Sequence, residues 1–485
     1  MKLKTYIYIL VVFALCSSCE RWLETAPKDM LSKEVMLSTV KGSESLLMGA
    51  YGSMQATNLY GRNMICKPEI MADNCAIARG GYAFTDHYYN LLGSGCNIWA
   101  NAYEIIAITN DIIKATGGLS VPAAEEKYRD RIKGEAHFLR ALFYFDLLRS
   151  FAREPGQLVN NFDKGVPLVT EPFSGMGPDA FPERATIAKV WAQVELDLNT
   201  AFSLLDNNNA QNCPARANSF AAKALLARAY LYQSKWNDAV TAADWVIANK
   251  PVDLYDGSNF TAIYKSGVES LFQLNFTTAE AKGSSSLHAW YANLSTTDNS
   301  RVPDSEGYIN GDNAMGEGEL IISDNLYTLF TPEDKRNQLI VKAIYNGTKI
   351  RWNIKYNSWQ GAYGQDNIPL IRIAELYLIR AEACLKLPTP DYTKARDDLD
   401  AIRLARGLAA STESNAELAA AVQTERRLEL CFEGHRFFDL KRQGKDITKE
   451  APAVMLPYSN FKVVAGIPVN EMSANKNLVN NPGYN

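Results

Sequence analysis

Residues 219 to 251 read SFAAKALLARAYLYQSKWNDAVTAADWVIANKP, and the spacing within them decides the fold. Counted from Tyr230, Leu226 and Ala227 lie four and three residues before it. Trp236, Ala239, Ala243, Val246 and Pro251 lie 6, 9, 13, 16 and 21 residues after it. Apolar residues recurring at three to four give one stripe on each of two helices. Alanine at 227, 239 and 243 keeps the crossing between them thin. Pro251 stops the second helix.

These are the offsets of a tetratricopeptide repeat, whose helix pair cannot bury its own apolar face and must stack on others. A second pair is predicted from Leu370 to Arg406. Ala374, Leu378, Ala381 and Leu385 form its first stripe, and Tyr392, Ala395, Leu399 and Ile402 its second. Residues 126–151 with 186–205 read as a third, degenerate pair. The expected fold class is therefore mostly α: tetratricopeptide-like helix pairs forming a right-handed superhelical platform. Residues 252–369 have a different texture, rich in Asn, Asp, Gly, Ser, Thr and aromatics. They predict a loop-rich insert with short strands near Leu271–Phe276 and Leu339–Tyr345.

Upstream, Lys2 and Lys4 precede an apolar run, Tyr6 to Leu15, and then Cys16-Ser17-Ser18-Cys19. The run is too short to span a bilayer, which takes about 20 residues. It reads as a signal peptide, residues 1–18, with Cys19 as the lipid-acceptor thiol; an ordinary cleaved signal with a free thiol is the alternative. The expected body runs over 19–485. It divides into a helical part at 19–251, a ligand-binding insert at 252–369, helix pairs at 370–450 and an irregular tail at 451–485. Six further cysteines (66, 75, 96, 213, 384 and 431) leave disulfides open, with no pairing fixed by the sequence. A net charge of −4 argues against nucleic acid as a partner.

The residues that carry a family resemblance run along almost the whole chain. Trp22-Leu23-Glu24 and Pro27 follow the acceptor Cys. Gly134-Glu135-Ala136, Leu139-Arg140-Ala141 and Arg380-Ala381-Glu382-Ala383 follow later. Glu425-Arg426-Arg427-Leu428-Glu429-Leu430 runs into Phe432-Glu433-Gly434-His435-Arg436, and Asn481-Pro482-Gly483-Tyr484 ends the chain. In order and spacing this resembles the SusD/RagB family of Bacteroidetes outer-membrane lipoproteins. The resemblance implies a lipid-anchored, surface-exposed protein of the outer membrane. Such a protein binds an oligosaccharide, or in some relatives a peptide, and serves a SusC-like TonB-dependent transporter. It implies no enzymatic activity.

Sugar C–H faces stack on aromatic rings while Asn, Asp and Arg bond the hydroxyls. Three windows of loop-like sequence supply those types. The first holds Asp73, Asn74, Arg79, Tyr82, Phe84, Tyr88 and Tyr89. The second holds Trp290 and Tyr291, with Asp298, Asn299 and Arg301. The third holds Trp352, Tyr356, Trp359 and Tyr363. Loop packing is the competing account of any single ring. Glu425, Glu429 and Glu433 could serve as a general acid or base, but Glu and Arg at these spacings on a helix are expected to pair with each other. His435 is expected to cap or bridge locally.

No HExxH, GxSxG or Walker A pattern occurs, although the paired carboxylates of a glycosidase need no fixed spacing. The acidic run with Asp304, Glu306, Asp312, Asn313, Glu317 and Glu319 reads first as a solvated loop, since no EF-hand spacing is present, with a Ca²⁺ site as the alternative that such oxygen-rich loops allow. No cofactor is expected. The alternatives to glycan capture are a tetratricopeptide-type scaffold or peptide-binding surface protein and, further off, a surface glycosidase. Product release from a bound sugar would separate the last of these. A protein partner other than a transporter would separate the first.

Overall fold

The computed structural model describes residues 32–78, 81, 83–91, 98–173, 175, 177, 180–205, 214–292, 294, 303–311, 317–450 and 452–484. The lipid-acceptor candidate Cys19 lies outside them, as do Arg79, Tyr82 and Arg301.

Nine long helices among the described residues build the body. They are α1 (Val40–Met54), α2 (Trp99–Gly118), α3 (Ala123–Phe151), α4 (Ile187–Leu204) and α5 (Ser219–Tyr232). After these come α6 (Trp236–Asn249), α7 (Ile373–Leu385), α8 (Tyr392–Ala405) and α9 (Leu418–Leu430). Each packs on the next from α1 to α6. The chain then leaves for the insert, and α7 returns to pack on α6, with α8 and α9 against it. The helix pair read from 219–251 is present. Ala227, Ala239, Ala243 and Val246 are fully buried at its crossing. The degenerate pair is also real: α3 packs on α4, with His137 Nδ1 and Arg140 Nη2 each 2.7 Å from Asp197 Oδ1. Side-chain caps fix several helix starts: Thr39, Thr186 and Asn218 accept the N–H of Gly42, Lys189 and Ala221.

The insert carries its strands where the sequence placed them, at Ser270–Leu274 and Ile340–Tyr345. Ser270–Leu274 pairs antiparallel with Ile368–Arg372, the strand that leads straight into α7. Ile340–Tyr345 forms a hairpin with Thr348–Asn353. Its two-residue turn is Asn346-Gly347, both with positive φ (48° and 70°), the left-handed geometry that favours this dipeptide. Cys75–Ile77 pairs with Leu320–Ile322, which ties the N-terminal part to the insert. Cys66, Cys75, Cys384 and Cys431 are buried thiols; Cys96 and Cys213 lie outside the described residues. Among the described residues no helix is long and apolar enough to cross a membrane.

Candidate functional site

Three loops converge beside the strand pair Cys75–Ile77 and Leu320–Ile322. Ala78 and Ala83 donate their N–H groups to Glu319, at its backbone oxygen (2.8 Å) and its Oε2 (3.0 Å). The N–H groups of Glu317 and Gly318 both reach Ala289 O, at 2.7 and 2.9 Å. Ala289 sits in a one-turn helix, Leu287–Tyr291, started by the hydroxyl of Ser286. This lattice brings Phe84 edge-on to Trp290, with ring centroids 5.0 Å apart at 86°. Arg62 lies over the same indole at 5.7 Å. Trp290 and Arg62 are both half-buried, so part of each side chain reaches solvent.

The third loop is held by two buried groups. Asp366 accepts the N–H of Asn357, Ser358 and Trp359 at 2.9 to 3.1 Å. Burial pushes its carboxyl up to about 6 against those three bonds. His288 lies 3.0 Å from Leu294 O through Nε2 and 2.6 Å from Ser358 Oγ through Nδ1. The carbonyl can only accept, so Nε2 carries the proton and Nδ1 accepts from the Ser358 hydroxyl. Gly364 donates its N–H to the same hydroxyl at 2.7 Å. This clasp sets half-buried Tyr363 edge-on to His288, with centroids 5.5 Å apart. Burial and then Glu317 raise the Tyr363 phenol. Tyr363 thus packs on the short helix that carries Trp290.

The other residues of the three windows go elsewhere. Asn74 is fully buried, donating to Glu69 Oε2 (2.7 Å) and accepting from Arg427 (2.8 Å). Asp73 is held by Arg436 at 2.6 Å and Arg427 at 3.3 Å. Tyr88 is buried, with its hydroxyl on Pro452 O. Tyr291 turns inward between Tyr356 and Phe432. Trp352 is fully buried and bonds Gly318 O at 2.9 Å. Asn74, Tyr291 and Trp352 present no face to a ligand, whereas Asp73 and Tyr88 line a separate cleft of about 350 Å³ beside the strand Cys75–Ile77. Trp359 is half-buried with its Nε1 on Lys355 O. The windows were read as loops, yet Trp290 and Tyr291 sit on a helix and Trp352 in a strand, because short elements of this kind leave no periodicity to read.

Two matches to known families follow this architecture. Residues 252–484 match the SusD family, and residues 21–231 match a family described as starch-binding and associating with the outer membrane.

The chain belongs to the SusD/RagB family.

It is 24% identical to SusD-like protein P2 of Formosa agariphila over 99% of both chains. It shares 26% identity with a SusD-like protein of Bacteroides ovatus over 59% of this chain and 54% of that one. Among solved structures, a SusD superfamily protein of Bacteroides thetaiotaomicron superposes with a TM-score of 0.77 at 26% identity, covering 92% of this chain and 100% of that one. Carbohydrate binding is the property this family carries by description.

In this SusD-family chain the ERRLELCFEGHR block pairs differently from expectation. Its charges do not meet along the helix; they reach distant partners. Glu429 meets Arg372 and Arg406 at 2.9 and 2.7 Å, Glu433 meets Arg372 and Lys355 at 2.7 Å each, and Arg426 meets Asp439 at 2.9 Å. All are buried. His435 starts the helix Arg436–Arg442 without a side-chain cap, its Nδ1 4.0 Å from Glu375. Sequence reading passed over Arg62, His288, Ser358 and Asp366. Arg62 and Asp366 have types that could have been flagged; His288 and Ser358 act through contacts made across the insert.

These groups fix an acid response. Burial holds the imidazoles of His87, His288 and His435 down at about 4; Lys67 and Arg62 add to this at His87. Unfolded imidazoles protonate near 6.5, so the unfolded state takes up protons first and stability falls as pH drops from about 6.5 to 4. Burial works against the charge of Glu375 and Glu433, but Arg228 and Arg372 bring each carboxyl down to about 2. Their contribution is complete above an unfolded value of about 4.3 and is lost as pH falls towards 2. Asp366 acts in the opposite sense, favouring the folded state as pH falls from about 6 towards 4. Three imidazoles outweigh it. The urea midpoint should therefore decline from pH 7 to 4 and more steeply below 4.5, a trend that far-UV CD titrations at stepped pH would test.

Proposed function

We propose that this chain is a lipid-anchored surface protein that captures an oligosaccharide on the face bordered by Trp290, Tyr363 and Arg62. It acts without covalent chemistry and passes its ligand to a SusC-like TonB-dependent transporter. The observation that carries the reading is the half-exposed indole of Trp290, braced by Phe84 at 5.0 Å and overlaid by Arg62 at 5.7 Å. A braced ring loses little freedom when a sugar stacks on it, and a guanidinium beside it can bond ring hydroxyls. The family description as starch-binding supports the ligand class. Cys19, after its short apolar run, supplies the anchor, and the family supplies the transporter.

Calorimetry of the full chain against a panel of neutral oligosaccharides tests this. Trp290→Ala and Tyr363→Ala are each expected to weaken binding about tenfold, equivalent to about 1.4 kcal/mol. The ligand should be recovered unchanged by mass spectrometry. Folded variants that bind as well as the unmodified protein would place the site elsewhere, and shortened sugars would make the protein an enzyme.

A further inference from the structure

A cleft of about 670 Å³ opens on the helical body, between the α5–α6 turn, the C-terminal end of α7, the helix α9 and the helix Arg436–Arg442. It shares no lining residue with the Trp290 face. Its charge runs against that of the whole chain. Lys386, Arg427, Arg436, Arg442 and Lys445 line it against one acid, Glu382, in a protein of formal net charge −4.

The arginines are committed. Arg442 grips Glu382 through both terminal nitrogens, at 2.6 and 2.7 Å. Arg436 and Arg427 share Asp73. The lysines are not: among the described residues neither the Lys386 nor the Lys445 ammonium has a hydrogen bond or ion pair. Burial, Arg436, Arg442 and Lys386 together push the Lys445 ammonium down and outweigh the pull of Glu382. Like charges therefore converge on this wall, and a low-dielectric cleft focuses such a field on an anion.

The rest of the lining is suited to a sugar. Half-buried Trp236 lines the cleft and brings an indole ring to it. Gln423 and Gln443, bonded to each other at 2.6 Å, bring two planar amides, and Ser234 and Thr424 bring hydroxyls. The lining residues lie on helices, turns and loops and none on a strand, so the cleft offers no strand edge on which an extended peptide could pair.

We propose that this cleft is a second ligand site, taking a short oligosaccharide that bears carboxylates. Trp236 and the glutamines hold its sugar rings, and Lys386 and Lys445 hold its acid groups.

Calorimetry of the full chain with a galacturonate tetramer, a neutral galactose tetramer and tetraglutamate tests the proposal. The galacturonate should bind, and added NaCl should weaken it. The surface variant Lys386→Gln/Lys445→Gln should lose about tenfold in affinity for it. That variant should keep whatever neutral glycan the Trp290 face takes, and Trp290→Ala should keep the galacturonate. The site is overturned if galacturonate does not bind, if the double lysine variant binds it normally, or if Trp290→Ala abolishes it. Tetraglutamate binding as tightly at the same lysines would overturn the sugar assignment and leave a charge-selective peptide cleft. Loss of neutral binding alone in Trp290→Ala belongs to the first site and leaves this one standing.

Discussion

Arg372→Met is expected to cost about 3–5 kcal/mol of stability, because it removes one partner from a buried charge network. Arg372 joins Glu269 at 2.7 Å, Glu429 at 2.9 Å and Glu433 at 2.7 Å, and it is almost fully buried. Arg406 shares Glu269 and Glu429, Arg336 reaches Glu429, and Lys355 holds Glu433. Without Arg372 these carboxylates keep their burial and lose the cation they have in common. The position also makes the effect large. Glu269 and Lys355 belong to the insert, and Glu429 and Glu433 to the C-terminal helical part. Arg372 itself ends the strand that leads into α7.

The network therefore fastens the insert to the helical body. The variant should lower the urea midpoint and speed proteolysis within 252–369. Pairing it with Glu433→Leu should recover part of the loss, since the stranded charge goes too. The exposed pair Lys349–Glu306 is the control, since solvent screening leaves it little to lose. A similar loss at both sites would show that burial does not govern the effect.

Trp352→Ala should cost about 3–5 kcal/mol by leaving a cavity where a fully buried indole stood. Trp352 packs among Ala343, Ile350, Ile354 and Ala292, and its Nε1 bonds Gly318 O. The substitution thus loses transfer energy, packing and a buried hydrogen bond together. Trp352→Phe should lose less and should bind neutral glycans as the unmodified protein does. Trp290→Ala should show the reverse pattern: a modest stability loss, because the ring is already half exposed, and a clear loss of binding. Parallel urea and calorimetric titrations of the three variants separate the roles. Weakened binding by stable Trp352→Phe would return that ring to the ligand face.

The two tryptophans mark the limit of what the sequence carries. Both fell in stretches without helical stripes and both were read as stacking rings. Their neighbours in space decide otherwise. Trp352 sits on a strand whose inner face meets the rest of the insert, and Trp290 sits on a one-turn helix at its rim. The charge block shows the same limit. Glu425, Arg426 and Glu429 lie on a helix as expected and Glu433 just past its end, yet their partners came from residues 336, 355, 372, 406 and 439 rather than from one turn away.

The sequence by itself determined the helix pairs, the positions of two strands in the insert and the family. Each rests on spacing a few residues long, which backbone geometry converts directly into structure. Only the tertiary structure decided which rings face outward. Trp290 and Tyr291 are consecutive on one short helix, about 100° apart around its axis. One borders solvent beside Phe84 and Arg62 while the other is fully buried against Phe432. Nothing local distinguishes them. The difference comes from which side of that turn the rest of the chain happens to cover.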